Sequence, residues 1–192
     1  KIKVPVHTFG GWFDIFLVGT INGYTGMKNQ GGSPQARAGA RMIIGPWGHG
    51  SSQSFGDVDF TAAAHIDQFE RELRFFDYHL KGLKNGLDTD LPVHLFYMGA
   101  NKWRSETDWP IPGTKYQKFY ITSGGRANAA RGDGKITPAK PAKEGTDTYR
   151  YDPDKPILTL GGNNCCGTPT LAGPKDQRPL EQKLDVLVYT SD

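Results

Sequence analysis

Two stretches decide how this chain is read: Lys1–Asp14, KIKVPVHTFGGWFD, and Ala40–His49, ARMIIGPWGH. Each is a short β-rich run stopped by glycine, then a tryptophan and, two residues on, an ionisable side chain. In the first, Ile2, Val4, Val6 and His7–Phe9 run into Gly10-Gly11, followed by Trp12 and Asp14. In the second, Ala40–Ile44 runs into Gly45-Pro46, followed by Trp47 and His49. Between them lie a helical segment, Ile15–Lys28, weakened by Gly19, Gly23 and Gly26, and a Gly/Ser/Pro loop, Gly31–Gln35. The clearest helix follows His49. Ile66, Phe69, Leu73, Phe76 and Leu80 recur at spacings of three and four, which puts them on one helical face. Thr61 or Asp59 is placed to cap its start, and Gly82 to close it in the left-handed conformation. Strand–helix–strand–helix order predicts a parallel sheet with covering helices.

Working outward, the pattern changes at Lys84–Asp90. Leu91–Met98, Tyr116–Ile121, Thr146–Tyr151, Pro156–Leu160 and Asp185–Thr190 read as short strands divided by Gly, Pro, Asn and Asp turns. Strands without intervening helices predict a sandwich or jelly roll over residues 91–192, after an α/β segment over 1–84. The 25 glycines and 13 prolines in 192 residues fit a turn-rich chain and exclude a helical bundle. The net charge of +3 is scattered, and the lysines of Lys135–Lys143 alternate with Pro and Ala, so this stretch reads as a solvated loop and no nucleic-acid partner is expected. No apolar run approaches the ~18 residues of a membrane span. Lys1–Phe9 lacks the layout of a signal peptide and reads as a strand entered midway. Adjacent Cys165 and Cys166 read either as two thiols in a tight loop or as a strained vicinal disulfide.

In open α/β sheets, binding and catalytic groups gather beyond the carboxyl ends of the strands. Asp14 and His49 are 35 residues apart at two such ends. Alone, Asp14 also fits a helix cap, and His49 an ordinary loop residue. Together they fit a carboxylate that orients an imidazole and stabilises its protonated form. The order, Asp before His, is that of the α/β-hydrolase triad. His7 and His94 lie inside predicted strands and read as structural, whereas His65 and His79 lie on the long helix, fourteen residues apart and too far for a metal pair, and are expected to face solvent or the domain junction. No HExxH, CxxC or DxDxDG occurs, so neither a metal nor a cofactor is expected.

GGWFD followed by RMIIGPWGH closely resembles the paired Asp and His motifs of the cocaine esterase / X-Pro dipeptidyl-peptidase / α-amino-acid ester hydrolase family. Leu91–Pro110, Lys118–Asn128 and Gly173–Thr190 resemble the same family's C-terminal jelly roll. The resemblance implies the C-terminal part of an α/β-hydrolase domain over residues 1–84, then an incomplete jelly-roll β-sandwich over 91–192. It implies Asp14 as triad acid and His49 as triad base. Trp12 and Trp47 either line the acyl pocket or seal the sheet against the β domain. The implied activity is serine hydrolysis of acyl ester or amide bonds, in a small molecule or peptide. One departure matters. No G-x-S-x-G occurs in the chain, so the nucleophile is expected upstream, and the 192 residues alone are expected to be inert. A rival reading makes the jelly roll a non-catalytic binding or assembly module. Two strands and two helices cannot cover both faces of a sheet. Residues 1–84 are therefore expected to pair with a missing N-terminal half or with a second copy.

Overall fold

The computed structural model describes residues 1–50, 54–143, 145–165 and 172–191. They fall into two compact units, Lys1–Thr114 with Gly161–Pro174, and Lys115–Leu160 with Lys175–Asp192.

In the first unit, strand β1 (His7–Gly11) is followed by helices α1 (Leu17–Gln30) and α2 (Pro34–Ala38) and strand β2 (Arg41–Gly45). A short hairpin, β3 (Ser54–Phe55) with β4 (Val58–Asp59), leads to helix α3 (Gln68–Lys81), then strands β5 (Val93–Tyr97) and β6 (Lys102–Glu106). The main sheet has the order β1-β2-β5-β6. β1, β2 and β5 run parallel, while β6 returns antiparallel along β5. β5 is thus the third parallel strand, although the sequence reading assigns Leu91–Met98 to the second domain. The reason is burial. Met42, Ile44, Val93 and Leu95 are nearly solvent-free and close one core with Tyr24 of α1. Phe96 closes a second core, with Phe60 and Ala64.

The helix ends follow local chemistry. Ser33 Oγ accepts the Ala36 N–H to cap α2, with Pro34 in its first turn. Asp67, rather than Thr61 or Asp59, caps α3 by accepting the Glu70 N–H at 2.8 Å. Thr61 instead caps a separate 3₁₀ turn, Ala62–Ala64, which delays the start of the helix. Gly82 closes α3 in the left-handed conformation, as its position predicts. The apolar stripe of α3 faces outward: Phe69 is 74% exposed and Leu80 78%, while Phe75, off that stripe, is buried.

The second unit is lightly paired. Strand β7 (Tyr120–Thr122) meets β8 (Lys135–Thr137) in an antiparallel ladder. Single bridges join Asn128 to Leu187 and Lys135 to Thr190. A four-residue helix, α4 (Arg178–Glu181), precedes the last segment. The Asp147 carboxylate holds the unit together. It accepts from the Ser123 hydroxyl and the Tyr189 hydroxyl, both at 2.6 Å, and from the Ala127 N–H at 2.9 Å. These donors hold its carboxyl below the usual carboxylate range. Thr146–Tyr151 and Pro156–Leu160, expected as strands, run without ladder partners among the described residues. Tyr149, Tyr151 and Leu158 are more than 60% exposed, so these segments lack the buried face that stabilises a strand. The chain is therefore a mixed, sheet-containing fold.

Cys165 is disulfide-bonded, which corrects the reading of a free thiol there. Cys166 lies outside the described residues.

Candidate active site

β1 and β2 are parallel with Gly11 opposite Gly45, so both strands deliver their ends to one edge of the sheet. Pairing persists beyond them: the Trp12 N–H donates to Gly45 O at 2.9 Å and the Phe13 N–H to Trp47 O at 3.0 Å. This close approach is why residue 11 is glycine. A Cβ there would lie 2.0 Å from the Trp47 carbonyl oxygen.

Beyond this crossing, the chain turns at Asp14. The Asp14 N–H donates to Gly11 O, the Leu17 N–H returns to Asp14 O, and the Phe16 N–H donates to Asp14 Oδ1 at 2.9 Å. The turn leaves Oδ2 pointing at His49, with Nδ1 3.4 Å away. Asp14 is buried at 7% exposure, while the His49 side chain is 52% exposed. The carboxylate is thus anchored by one oxygen and presents the other, and the imidazole keeps Nε2 for another partner. The Phe16 ring lies edge-on to the imidazole at 5.1 Å. Phe16 rather than Asp14 occupies the cap position of α1, and no side chain caps that helix.

Trp12 donates its indole N–H to Phe96 O at 2.8 Å and packs against the Trp109 ring. Trp47 is buried against Trp103. Both rings therefore pin the strand ends where Asp14 and His49 emerge.

A residue no local signal marks completes the turn. Asn163 Nδ2 donates to Trp12 O at 3.1 Å and to Asp14 O at 3.0 Å. Its loop is closed by reciprocal N–H to O bonds between Gly162 and Gly173. In sequence, GGNN reads as an ordinary turn, and its partners are about 150 residues away.

Ser33 Oγ donates to Lys3 O and accepts the Ala36 N–H, a structural use. Among the described residues, Ser105 Oγ lies 3.0 Å from His94 Nδ1. His94 is the second residue of β5 and pairs with Ile43, the middle residue of β2, short of the Gly45 end beyond which His49 lies. The His79 ring packs on Phe75 and Tyr78, and burial pushes its pKa down. Among the described residues, no group of three or more His, Cys, Asp or Glu is placed to hold a metal ion. No helix among them is long and apolar enough to cross a membrane.

Comparison with known proteins supplies context. The family model described as X-Pro dipeptidyl-peptidase C-terminal non-catalytic domain matches residues 85–192, a stretch that excludes Asp14 and His49. The chain is 35% identical over 195 residues to "Cocaine esterase" of Rhodococcus sp. (strain MB1 Bresler), covering 100% of this chain and 33% of that protein. It resembles the crystal structure of an aminopeptidase from the marine sediment archaeon Thaumarchaeota archaeon, with TM-score 0.66 and 26% identity. That match covers 97% of this chain and 30% of the other. The chain thus spans about a third of the length of each of these two proteins.

Proposed function

The chain belongs to the family of the X-Pro dipeptidyl-peptidase C-terminal non-catalytic domain, and from that membership we propose that it is the C-terminal part of a serine hydrolase that cleaves acyl ester or amide bonds. The observation that carries this reading is the pair Asp14 Oδ2 and His49 Nδ1, 3.4 Å apart beyond two parallel strand ends. In the proposed mechanism a serine outside these residues attacks the acyl carbonyl while His49 Nε2 takes its proton. Asp14 holds Nδ1–H and stabilises the imidazolium. His49 then returns the proton to the leaving group, and water releases the acyl enzyme by the same route. Trp12 and Trp47 would form the floor of the acyl site.

The reading of residues 1–84 as α/β-hydrolase is supported by the parallel β1–β2 ladder with its helical connection. The antiparallel β7–β8 ladder supports, more modestly, a jelly roll further on. The test is labelling of the full-length protein with a serine-directed fluorophosphonate during acyl-ester turnover. One modified serine outside residues 1–192, with loss of turnover, is the expected result. Modification of a serine within the chain, or turnover that survives labelling, would discard the reading.

The same proposal supplies cover for α3. Phe69, Leu73, Phe76 and Leu80 are 46–78% exposed, and two thirds of a relative's length is not represented here. We assign that cover to the N-terminal remainder of the protein rather than to self-association through residues 1–84. In the full-length protein Phe76→Ala is then expected to cost about 3 kcal/mol in urea unfolding. In the isolated 192 residues it costs a small fraction of that. An equal, small effect in both, with a concentration-dependent dimer of the isolated chain, would favour the second copy.

A further inference from the structure

At the other end of the parallel strands from Asp14 and His49 there is a cavity of about 260 Å³. β1 contributes His7, β2 Arg41 and β5 His94, while α3 contributes Arg71 and Arg74. Three guanidinium groups therefore line a space in which the one carboxylate is Asp90.

The Asp90 and Asp88 carboxylates act on Arg41, and the neighbouring Arg74 guanidinium opposes them. Arg74 is paired with Asp90 and donates its Nε–H to Asn85 O. Arg41 gives its terminal N–H groups to the carbonyls of Leu87 and Asp90, which carry no net charge. Its Nε–H is buried and meets no acceptor among the described residues, and the same is true of His7 Nδ1. Arg71 makes a loose contact with Glu70, at 3.9 Å, and keeps 37% of its side chain exposed at the cavity. An obligate buried donor without an acceptor is costly, and so are cations that crowd one another. An anion with several acceptor oxygens relieves both. A water can satisfy the donor but cannot neutralise the cations.

We propose that this cavity binds an inorganic oxyanion of the phosphate or sulfate type, held by Arg71 and Arg41 with the His7 and His94 rings beside it. The site is separate from the Asp14–His49 pair and does not depend on the function proposed above. Phosphate suits it because guanidinium groups meet tetrahedral oxyanions through paired N–H donors. The surroundings agree: both imidazoles are pushed down to about 4, by burial first and then by neighbouring arginines. A bound anion would reverse the arginine contribution.

Isothermal titration of the full-length protein with sodium phosphate, against sodium chloride at matched ionic strength, tests the proposal. Saturable binding at one site per chain is expected. Arg71→Met should weaken it roughly tenfold or more, the loss expected for a charge-assisted contact. Lys81→Met, an equal change of charge on the same helix, should leave it unchanged. Nuclear magnetic resonance of the histidine rings in the unaltered protein gives a measurement independent of any variant's folding. Phosphate should raise the titration midpoints of His7 and His94. Absence of saturable binding, equal affinity in Arg71→Met, or histidine midpoints indifferent to phosphate would overturn the site.

Discussion

Replacing His49 by alanine in the full-length protein is expected to lower kcat for acyl-ester hydrolysis by about 10⁶-fold, the scale of losing a triad base elsewhere. Fold and substrate affinity should be nearly unchanged. The His49 side chain is half exposed and its contacts are the Asp14 carboxylate and the edge of Phe16, so little packing is lost. A companion variant isolates the role of the carboxylate. In Asp14→Asn the side chain keeps an oxygen for the Phe16 N–H but turns an amide toward His49 Nδ1. That favours the tautomer in which Nε2 carries the proton and cannot act as base, with an expected loss of about 10⁴-fold. The measurements are steady-state kinetics with circular dichroism to confirm folding. If turnover survives His49→Ala, the general base lies elsewhere and the pair is structural. If Asp14→Asn unfolds the protein, its buried turn matters more for stability than for orienting the imidazole.

Stability should fall steeply as pH drops from about 6.5 to about 4. His7 and His94 are held at about 4 in the fold, against 6.5 in an open chain. Between those values the unfolded chain binds protons that the folded chain refuses, so acid favours unfolding. The contribution of these rings is fully present above about 6.5 and is gone once pH passes below about 4. Together they account for about 4 kcal/mol, allowing for the solvent each ring still meets. Urea titrations across this window, in chloride and without phosphate, measure the slope. His7→Gln with His94→Gln should remove most of it. Phosphate bound in the adjoining cavity should flatten it, since an anion there favours the protonated rings. A flat profile in chloride would mean that both imidazoles take up protons without leaving the fold.

How much of this was legible beforehand depends on whether the signal was local. The two strand ends, with glycine at the crossing and Asp14 and His49 beyond it, were readable because each motif lies within about ten residues. So was α3, whose 3.6-residue period and terminal Gly82 are properties of one helix. The placement of β5 was not. Val93–Tyr97 is a five-residue β-rich run that suits a sandwich or a parallel sheet equally, and period alone cannot choose between them. The burial of Val93 and Leu95 beside Met42 and Ile44 decides it. Which acid caps α3 was equally hidden, because several candidates precede the helix and the 3₁₀ turn selects Asp67.

By itself, then, the sequence determined the order of strands and helices around the two strand ends, the Asp14 and His49 that follow them, and an apolar helix face. Backbone preference, side-chain period and glycine's freedom are written in consecutive residues. Tertiary structure alone decided the third parallel strand, the outward direction of the α3 stripe, the clamp of Asn163 on the Asp14 turn, and the meeting of Arg41, Arg71 and Arg74 around one cavity. Each of these joins residues far apart in the chain, and what joins them is burial and hydrogen-bond satisfaction, which no local window of sequence contains.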